Sequence, residues 1–408
     1  MSSSPADRIP TPMTPSVLLY VQHLLGVGHL ERALRLSSAL SRSGVRVTLV
    51  SGGEEVPQLA RAAAERVVRL APVKASDVEF RALLDLRGEP IGDALRARRR
   101  EALLAAFRET RPQALIFESF PFGRRAFRFE LDPLIAAARA ACPRPLLISS
   151  IRDILVPPST PEKAREIVRR VREEFDAVLV HGDPALVTLE RSFPEAREIA
   201  DRLLYTGYVG REAPPPAGAA GRDEVIVSAG GGAVGGKLLR ASLAARREGS
   251  LSALPWRLIA GPNLPDEEYA DLARGLEEGV ALERYREDFA SLLGACRLSI
   301  SQAGYNTMLD ILAAGAAAVV VPFAAGREAE QTMRAELFAA RGIVECVAES
   351  DLTPSRLAAA IARALTRGRK RTAIATGGAE ESARILSRML LRHARQLASA
   401  TSKAIMRQ

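Results

Sequence analysis

The chain has little lysine, tryptophan or cysteine. Five of its 408 residues are lysine, one is tryptophan and three are cysteine. The cysteines, Cys142, Cys296 and Cys346, lie far apart and fit no metal-ligand spacing, which points to a reducing, cytoplasmic setting. No His-Glu-x-x-His, Asp-x-Asp or Gly-x-Ser-x-Gly occurs, and Lys237 is followed by Leu238 rather than Ser or Thr. These gaps argue against a zinc peptidase, a transferase that holds its diphosphate through a metal on Asp-x-Asp, a serine hydrolase elbow and a Walker A loop. No metal and no cofactor is expected. Aromatics are only 5% and form no stacking ladder, so no nucleic-acid partner is expected either. The longest uncharged apolar run, Ile311–Ala325, contains Gly315 and Pro322 and is too short to cross a bilayer. Residues 1–16 lack the apolar core of a signal peptide and read as a floppy leader.

With so little lysine, the net charge of +9 is an arginine charge. It gathers at Arg96–Arg100, Gly123–Arg128 and Arg388–Arg395. Solvated helix faces are one reading; attraction to an anionic membrane surface, roughly 1 kcal/mol per well-placed basic residue, is another.

At 47% hydrophobic and 26% charged, the composition is that of a globular protein, and the length exceeds one ordinary core. Short β-branched runs alternate with amphipathic stretches, the pattern of parallel α/β layers. In the first half, strands are expected at Val17–Gln22, Val45–Ser51, Val67–Leu70, Ala114–Glu118, Leu146–Ser150, Ala177–His181 and Leu203–Thr206. A Pro- and Gly-rich stretch, residues 208–223, reads as a linker. Alternation restarts at Glu224, with strands expected at Val225–Ala229, Arg257–Ala260, Val280–Leu282, Leu298–Ser301, Ala317–Val321 and Ile343–Val347. The division is therefore a first domain over 17–207, a second over 224–376, and a closing helix within 377–408 that returns toward the first domain. Two such domains leave a cleft between them, a common place for a ligand.

Three places could carry chemistry. The turn after the first strand reads Gly26-Val27-Gly28-His29-Leu30-Glu31-Arg32, which places His29 at a helix start facing the cleft. There it could take a proton, or merely cap local backbone. The turn after the first strand of the second domain, Ser228–Lys237, has five glycines, including Gly230, Gly231 and Gly232, and suits a phosphate cradled by main-chain N–H groups. A surface loop is the bland alternative. The third place is Ser299–Arg334, where Ala303, Gly304, Asp310, Arg327, Glu330 and Gln331 all follow strand ends. Of the other histidines, His23 reads as structural, His181 ends a strand without a recognisable constellation, and His393 is expected on an exposed helix face.

These residues resemble a known family, the glycosyltransferases of the family 28 type, which includes the murein N-acetylglucosaminyltransferase. The resemblance runs from about Val17 onward and is most specific in Ser301–Ala335. It implies the GT-B architecture, two Rossmann-like parallel-sheet α/β domains facing across a cleft. It also implies inverting, metal-independent transfer from a nucleoside-diphosphate sugar, UDP-sugar favoured, to a hydroxyl acceptor. By position, His29 would act on the acceptor, with Gly28, Arg32 and Glu118 on the acceptor side. Gly230–Gly232, Ala303, Gly304 and Arg327 would lie at the diphosphate, Tyr285 at the nucleobase and Asp310 at the ribose. Glu330 and Gln331 would face the donor sugar, where the family has Gln-Gln. The stretch Glu118–Arg124 departs from the murein enzyme. Gly28-His29-x-x-Arg32 is also similar to a related nucleotide-sugar hydrolase, which keeps hydrolysis or epimerisation open. A non-catalytic nucleotide-sugar binder, and peripheral contact with the inner membrane face, stay open as well.

Overall fold

The computed structural model describes residues 14–24, 27–75, 82–210, 220–230, 234–324, 330–370 and 373–405. The chain opens with β1 (Ser16–Val21), α1 (Gly28–Arg42), β2 (Arg46–Ser51) and β3 (Arg66–Arg69). A short antiparallel pair follows, β4 (Lys74–Ala75) with β5 (Leu83–Leu84). Next come α2 (Asp93–Thr110), β6 (Ala114–Glu118), α3 (Arg128–Ala140), β7 (Leu146–Arg152), α4 (Pro161–Glu174), β8 (Ala177–His181) and β9 (Leu203–Tyr205). The second half runs β10 (Val225–Ser228), α5 (Gly236–Glu248), β11 (Trp256–Ile259), α6 (Asp266–Arg274), β12 (Val280–Glu283), α7 (Phe289–Ala295) and β13 (Leu298–Ser301). It ends with α8 (Tyr305–Ala314), β14 (Ala318–Val320), α9 (Glu330–Ala340), β15 (Glu345–Cys346), α10 (Pro354–Arg367) and α11 (Gly378–Ile405).

Local chemistry accounts for many of these elements. Strands such as β1 and β6 are buried almost end to end, as parallel strands covered by helices on both faces must be. Helices α4 and α10 each start Thr-Pro. The threonine side chain accepts the N–H of Lys163 or Arg356, and proline fills the first helical position, where no N–H is needed.

The strands form two parallel sheets with the same winding, ordered β3-β2-β1-β6-β7-β8-β9 and β12-β11-β10-β13-β14-β15. Each reverses direction once, between β1 and β6 and between β10 and β13. At such a switch point the flanking loops diverge and open a crevice at the carboxyl ends of the strands.

Helix α11 packs on the first domain. Ala379, Ala383, Leu386 and Leu390, at helical spacing, join the core that contains Leu30 and Leu34 of α1. The chain therefore crosses twice between the halves, and the two crossings run side by side. Tyr208 N–H donates to Ala375 O at 2.8 Å, and Gly378 N–H donates to Tyr208 O at 2.9 Å. Among the described residues no helix is long and apolar enough to cross a membrane.

Two surface expectations need correction. Arg99, in the basic run on α2, is fully buried in an ion pair with Glu130 rather than solvated. His393 is half-buried and lies 2.7 Å from the Arg144 carbonyl through Nε2, so α11 turns that side chain inward.

Candidate active site

At the first switch point, β1 hands over to α1 and β6 ends at Glu118. His29, in the first turn of α1, places Nδ1 2.9 Å from Glu118 Oε1. Arg32, one turn further on, is buried against the same carboxylate: Nη2 pairs with Oε1, and Nε donates to Oε2 at 3.4 Å. Ser119 Oγ lies 3.2 Å from His29 Nδ1, and its backbone has φ +69°, a strained value for a residue with a Cβ.

The ion pair fixes the proton positions. Burial alone would raise the Glu118 pKa, but Arg32 and the His29 contact hold the carboxyl below its usual range. An ionised carboxylate can only accept, so the 2.9 Å contact to Glu118 outweighs the 3.2 Å approach of Arg32 Nη2, a donor, and assigns the proton to His29 Nδ1, which leaves Nε2 its lone pair. Burial, then Arg124, Arg32 and Arg152, lower the His29 pKa to about 3 against the opposing pull of Glu118. The imidazole is therefore neutral at physiological pH. Its side chain keeps 21% of its surface exposed, so it remains reachable.

At the second switch point, β10 ends in the glycine turn and β13 runs through Gln302, Ala303 and Gly304 into α8. Gly230 has φ +72°, which glycine adopts without strain, and its N–H lies 3.3 Å from Ser228 Oγ. Gln302 ties the two loops together: its N–H donates to Ser228 O at 3.2 Å and its side-chain amide to Val234 O at 3.3 Å. Ala303 is fully buried. A Cβ built on Gly304 would meet nothing within 4 Å, so the space before α8 is open. Asp310 lies in the second turn of α8 and is 4% exposed. Tyr285, after β12, is exposed. Gly231, Gly232 and Arg327 lie outside the described residues.

Glu330, expected at the donor sugar, is 7% exposed, and its carboxylate pairs with Arg152 of the first domain (2.6 Å) and with Arg334 (2.8 Å), so the side chain also braces the two domains. Gln331 Oε1 accepts the Phe323 N–H at 3.2 Å, which leaves its amide nitrogen as the donor group.

The two crevices meet. A Cβ on Gly28 would come 3.3 Å from Asn306 Nδ2, so the histidine turn abuts the first turn of α8. Tyr305 begins that helix and is seated on the first domain. The Arg32 and Arg334 guanidiniums lie 5.4 and 5.3 Å from its ring centroid, and its hydroxyl donates to His181 O at 3.1 Å. Arg334 Nη2 also donates to Asp153 Oδ1 at 3.0 Å, and Tyr208 donates to Asp153 Oδ2 at 2.7 Å. Tyr305, Asp153 and Arg334 escaped the sequence reading, and so did the linkage of Glu118 to His29. One signal for Glu118 was available: a carboxylate ends the otherwise apolar strand Ala-Leu-Ile-Phe-Glu.

Residues 231–389 match the glycosyltransferase family 28 C-terminal domain. Among curated proteins, a UDP-N-acetylglucosamine–N-acetylmuramyl-(pentapeptide) pyrophosphoryl-undecaprenol N-acetylglucosamine transferase from Methylibium petroleiphilum is 35% identical over 92 residues, 22% of this chain and 24% of that protein. The protein of the same name from Mesorhizobium japonicum is 32% identical over 115 residues, 27% of this chain and 31% of that protein. The matches thus span about a quarter to a third of those relatives' length. Among solved structures, the glycotransferase of kitacinnamycin superposes with a TM-score of 0.60 at 17% identity, covering 93% of this chain and 100% of that one. Acinetobacter baumannii MurG gives 0.55 at 16% identity, covering 93% and 100%. The spinosyn rhamnosyltransferase SpnG, complexed with thymidine diphosphate, gives 0.56 at 17% identity, covering 94% and 96%. With likeness over more than nine-tenths of the chain, this protein has the GT-B fold, and residues 231–389 within its second half are similar to the glycosyltransferase family 28 C-terminal domain.

Proposed function

We propose that the protein is an inverting glycosyltransferase that moves a sugar from a nucleoside-diphosphate sugar to a hydroxyl acceptor. One observation carries this reading: a neutral, carboxylate-oriented His29 at one switch point abuts the open start of α8 at the other. The acceptor hydroxyl attacks the anomeric carbon and passes its proton to His29 Nε2. The bond from that carbon to the phosphate oxygen breaks, and the diphosphate leaves with the electron pair. Negative charge grows on that leaving group. The N–H groups opening α8 and the turn at Gly230 point positive dipole toward it, which is where fixed dipoles lower a barrier most. The partial relatives named above favour a UDP-sugar as donor, and the acceptor side is this chain's own.

Purified protein incubated with UDP-, dTDP- and GDP-sugars tests the reading. Diphosphate release that requires an added acceptor extract supports transfer. Equal release into water without acceptor would replace it with hydrolysis, and a changed sugar still on its nucleotide with epimerisation. No turnover under any condition would leave a binding protein.

The pH profile supplies a second check. The base form of His29 is the neutral one, and its pKa is lowered to about 3, so protonation removes it only well below the usual histidine range. The turnover number is expected to stay level from about pH 8 down to about pH 5, where an unperturbed histidine near 6.5 would already be protonated. An acid limb centred near 6.5 would show that the imidazole is solvated and not held as described.

A further inference from the structure

Glu118 has two carboxylate oxygens, and the chemistry above uses one. The other, Oε2, accepts from Ser150 Oγ at 2.8 Å. Ser150 is the register partner of Glu118 on β7 and is fully buried. Its single proton goes to the carboxylate, so its oxygen is left to accept. The group facing that oxygen, at 2.9 Å, is Nε2 of His181, at the end of β8. His181 is itself fully buried, and burial and Arg32 lower its pKa to about 3 against Glu118, so this ring is neutral as well. With its proton on Nε2, its Nδ1 accepts, and Thr206 Oγ1 lies there at 2.9 Å. A single file therefore runs across three adjacent strands, from Thr206 through His181 and Ser150 to Glu118 and His29.

The ionised carboxylate sets the direction of every donor in the file. If Ser150 instead turned its proton to His181, Oε2 would keep only the long Arg32 contact, and Oε1, shared by Arg32 and His29, would alone set the carboxylate's tilt toward His29. His181 prevents this by presenting an N–H to Ser150. The His181 carbonyl accepts the Tyr305 hydroxyl from the second domain, so the far end of the file is anchored where the two domains meet.

We propose that His181, acting through Ser150, is a positioning residue for the reaction. It fixes the Glu118 carboxylate and so holds His29 in the tautomer whose Nε2 faces the acceptor. The significance of this role rests on His29 being the base. Arg32, Arg124, Arg152 and Glu330 are the other charged groups that act on His29, and none of them is replaced in the variants below; Arg32 acts on His181 as well.

The chain has four histidines, few enough for nitrogen-15 histidine labelling to resolve each ring by long-range proton–nitrogen spectra. At pH 7 the intact protein is expected to show His29 with a protonated Nδ1 and a pyridine-like Nε2, and His181 with the reverse. In Ser150→Ala and His181→Leu, the His29 nitrogen shifts should move toward the average of the two tautomers, and its Nδ1–H signal should broaden. His181→Gln keeps a donor at the Nε2 position and should restore the intact pattern. With a donor and acceptor in hand, Ser150→Ala should lower kcat about tenfold or more, within the range of general-base effects, while KM stays level. Thermal melts identify which variants are folded, and Ser150→Ala carries the test if His181→Leu is not. A folded Ser150→Ala protein with His29 shifts unchanged overturns the proposal. The spectra need no substrate. If they change as expected while no nucleotide-sugar turns over, the positioning role stands and the transferase reading falls.

Discussion

Replacing His29 with alanine is expected to slow sugar transfer by about 10²- to 10⁴-fold, the range for removing a positioned general base. Donor affinity should hardly change, because the N–H groups at Gly230 and at the start of α8 do not depend on the imidazole. The first turn of α1 abuts the start of α8, Glu118 accepts the Nδ1–H at 2.9 Å, and the ring stays 21% exposed. The surrounding arginines also matter. Burial first, and then these arginines, depress the imidazole pKa, which makes it a weak base toward a free hydroxyl. It becomes effective as the attacking oxygen loses electron density to the anomeric carbon and its proton grows acidic. A buried carboxylate behind Nδ1 compensates the imidazolium at that moment, the arrangement of the Ser-His-Asp triads. Single-turnover transfer measured beside donor titration separates the two effects. A variant that transfers at the normal rate would remove His29 from the chemistry, whatever its contacts. A variant that loses donor binding and transfer together would make His29 part of the donor site instead.

Apart from the two-residue β4 and β5, which no run in the chain announced, the strands were legible to within a residue or two at each end. The reason is physical: strands buried on both faces must be apolar throughout, so runs such as Ala-Leu-Ile-Phe and Leu-Leu-Ile stand out against polar helices. β6, β8 and β13 have the expected limits. The glycine turn at Gly230 and the histidine turn at Gly28 could be placed because each follows the first strand of its domain. Partnerships were harder to read. His29 and Glu118 are 89 residues apart in sequence, and Arg152 and Glu330 are 178 apart. No local pattern reports such pairs, because tertiary packing alone brings them together. Glu330 shows the same limit: its place beside Gln331 suggested a sugar contact, but nothing local announced its pairing with Arg152 and Arg334. His181 lacked visible partners because its neighbours, Ser150 and Thr206, are common residues on other strands. Arg99 is different. It lies one turn before Leu103 and two before Phe107, on the buried stripe of α2, so helical spacing alone could have turned it inward. The surrounding Arg96, Arg98 and Arg100 hid that stripe.

Arg99→Ala should therefore cost about 3–5 kcal/mol of stability, the scale for breaking one side of a buried ion pair. Arg99 Nε and Nη2 each donate to Glu130 at 2.8 Å, Nη2 also donates to Gln22 Oε1 at 2.8 Å, and Nη1 donates to Gly52 O at 2.9 Å. Phe127 lies beneath the guanidinium, its ring centroid 5.4 Å away. Without the arginine, Glu130 would stay fully buried with Tyr20 as its remaining donor, a charge without compensation. Urea unfolding followed by circular dichroism reads the loss directly. A change below about 1 kcal/mol, the scale of exposed pairs, would put Arg99 in solvent. The double variant Arg99→Met/Glu130→Leu should lie closer to the parent than Arg99→Ala does, because apolar replacement removes both the charge and the need to satisfy it. The two variants should part company in function. Gln22 and Gly52 follow β1 and β2, on the edge from which the His29 turn springs, and Arg99 adds its side-chain bonds there to the backbone bond from Gly52 N–H to Val21 O. In the double variant, then, stability should return while sugar transfer stays low, because packing can be rebuilt with hydrocarbon but the bonds that aim the turn cannot.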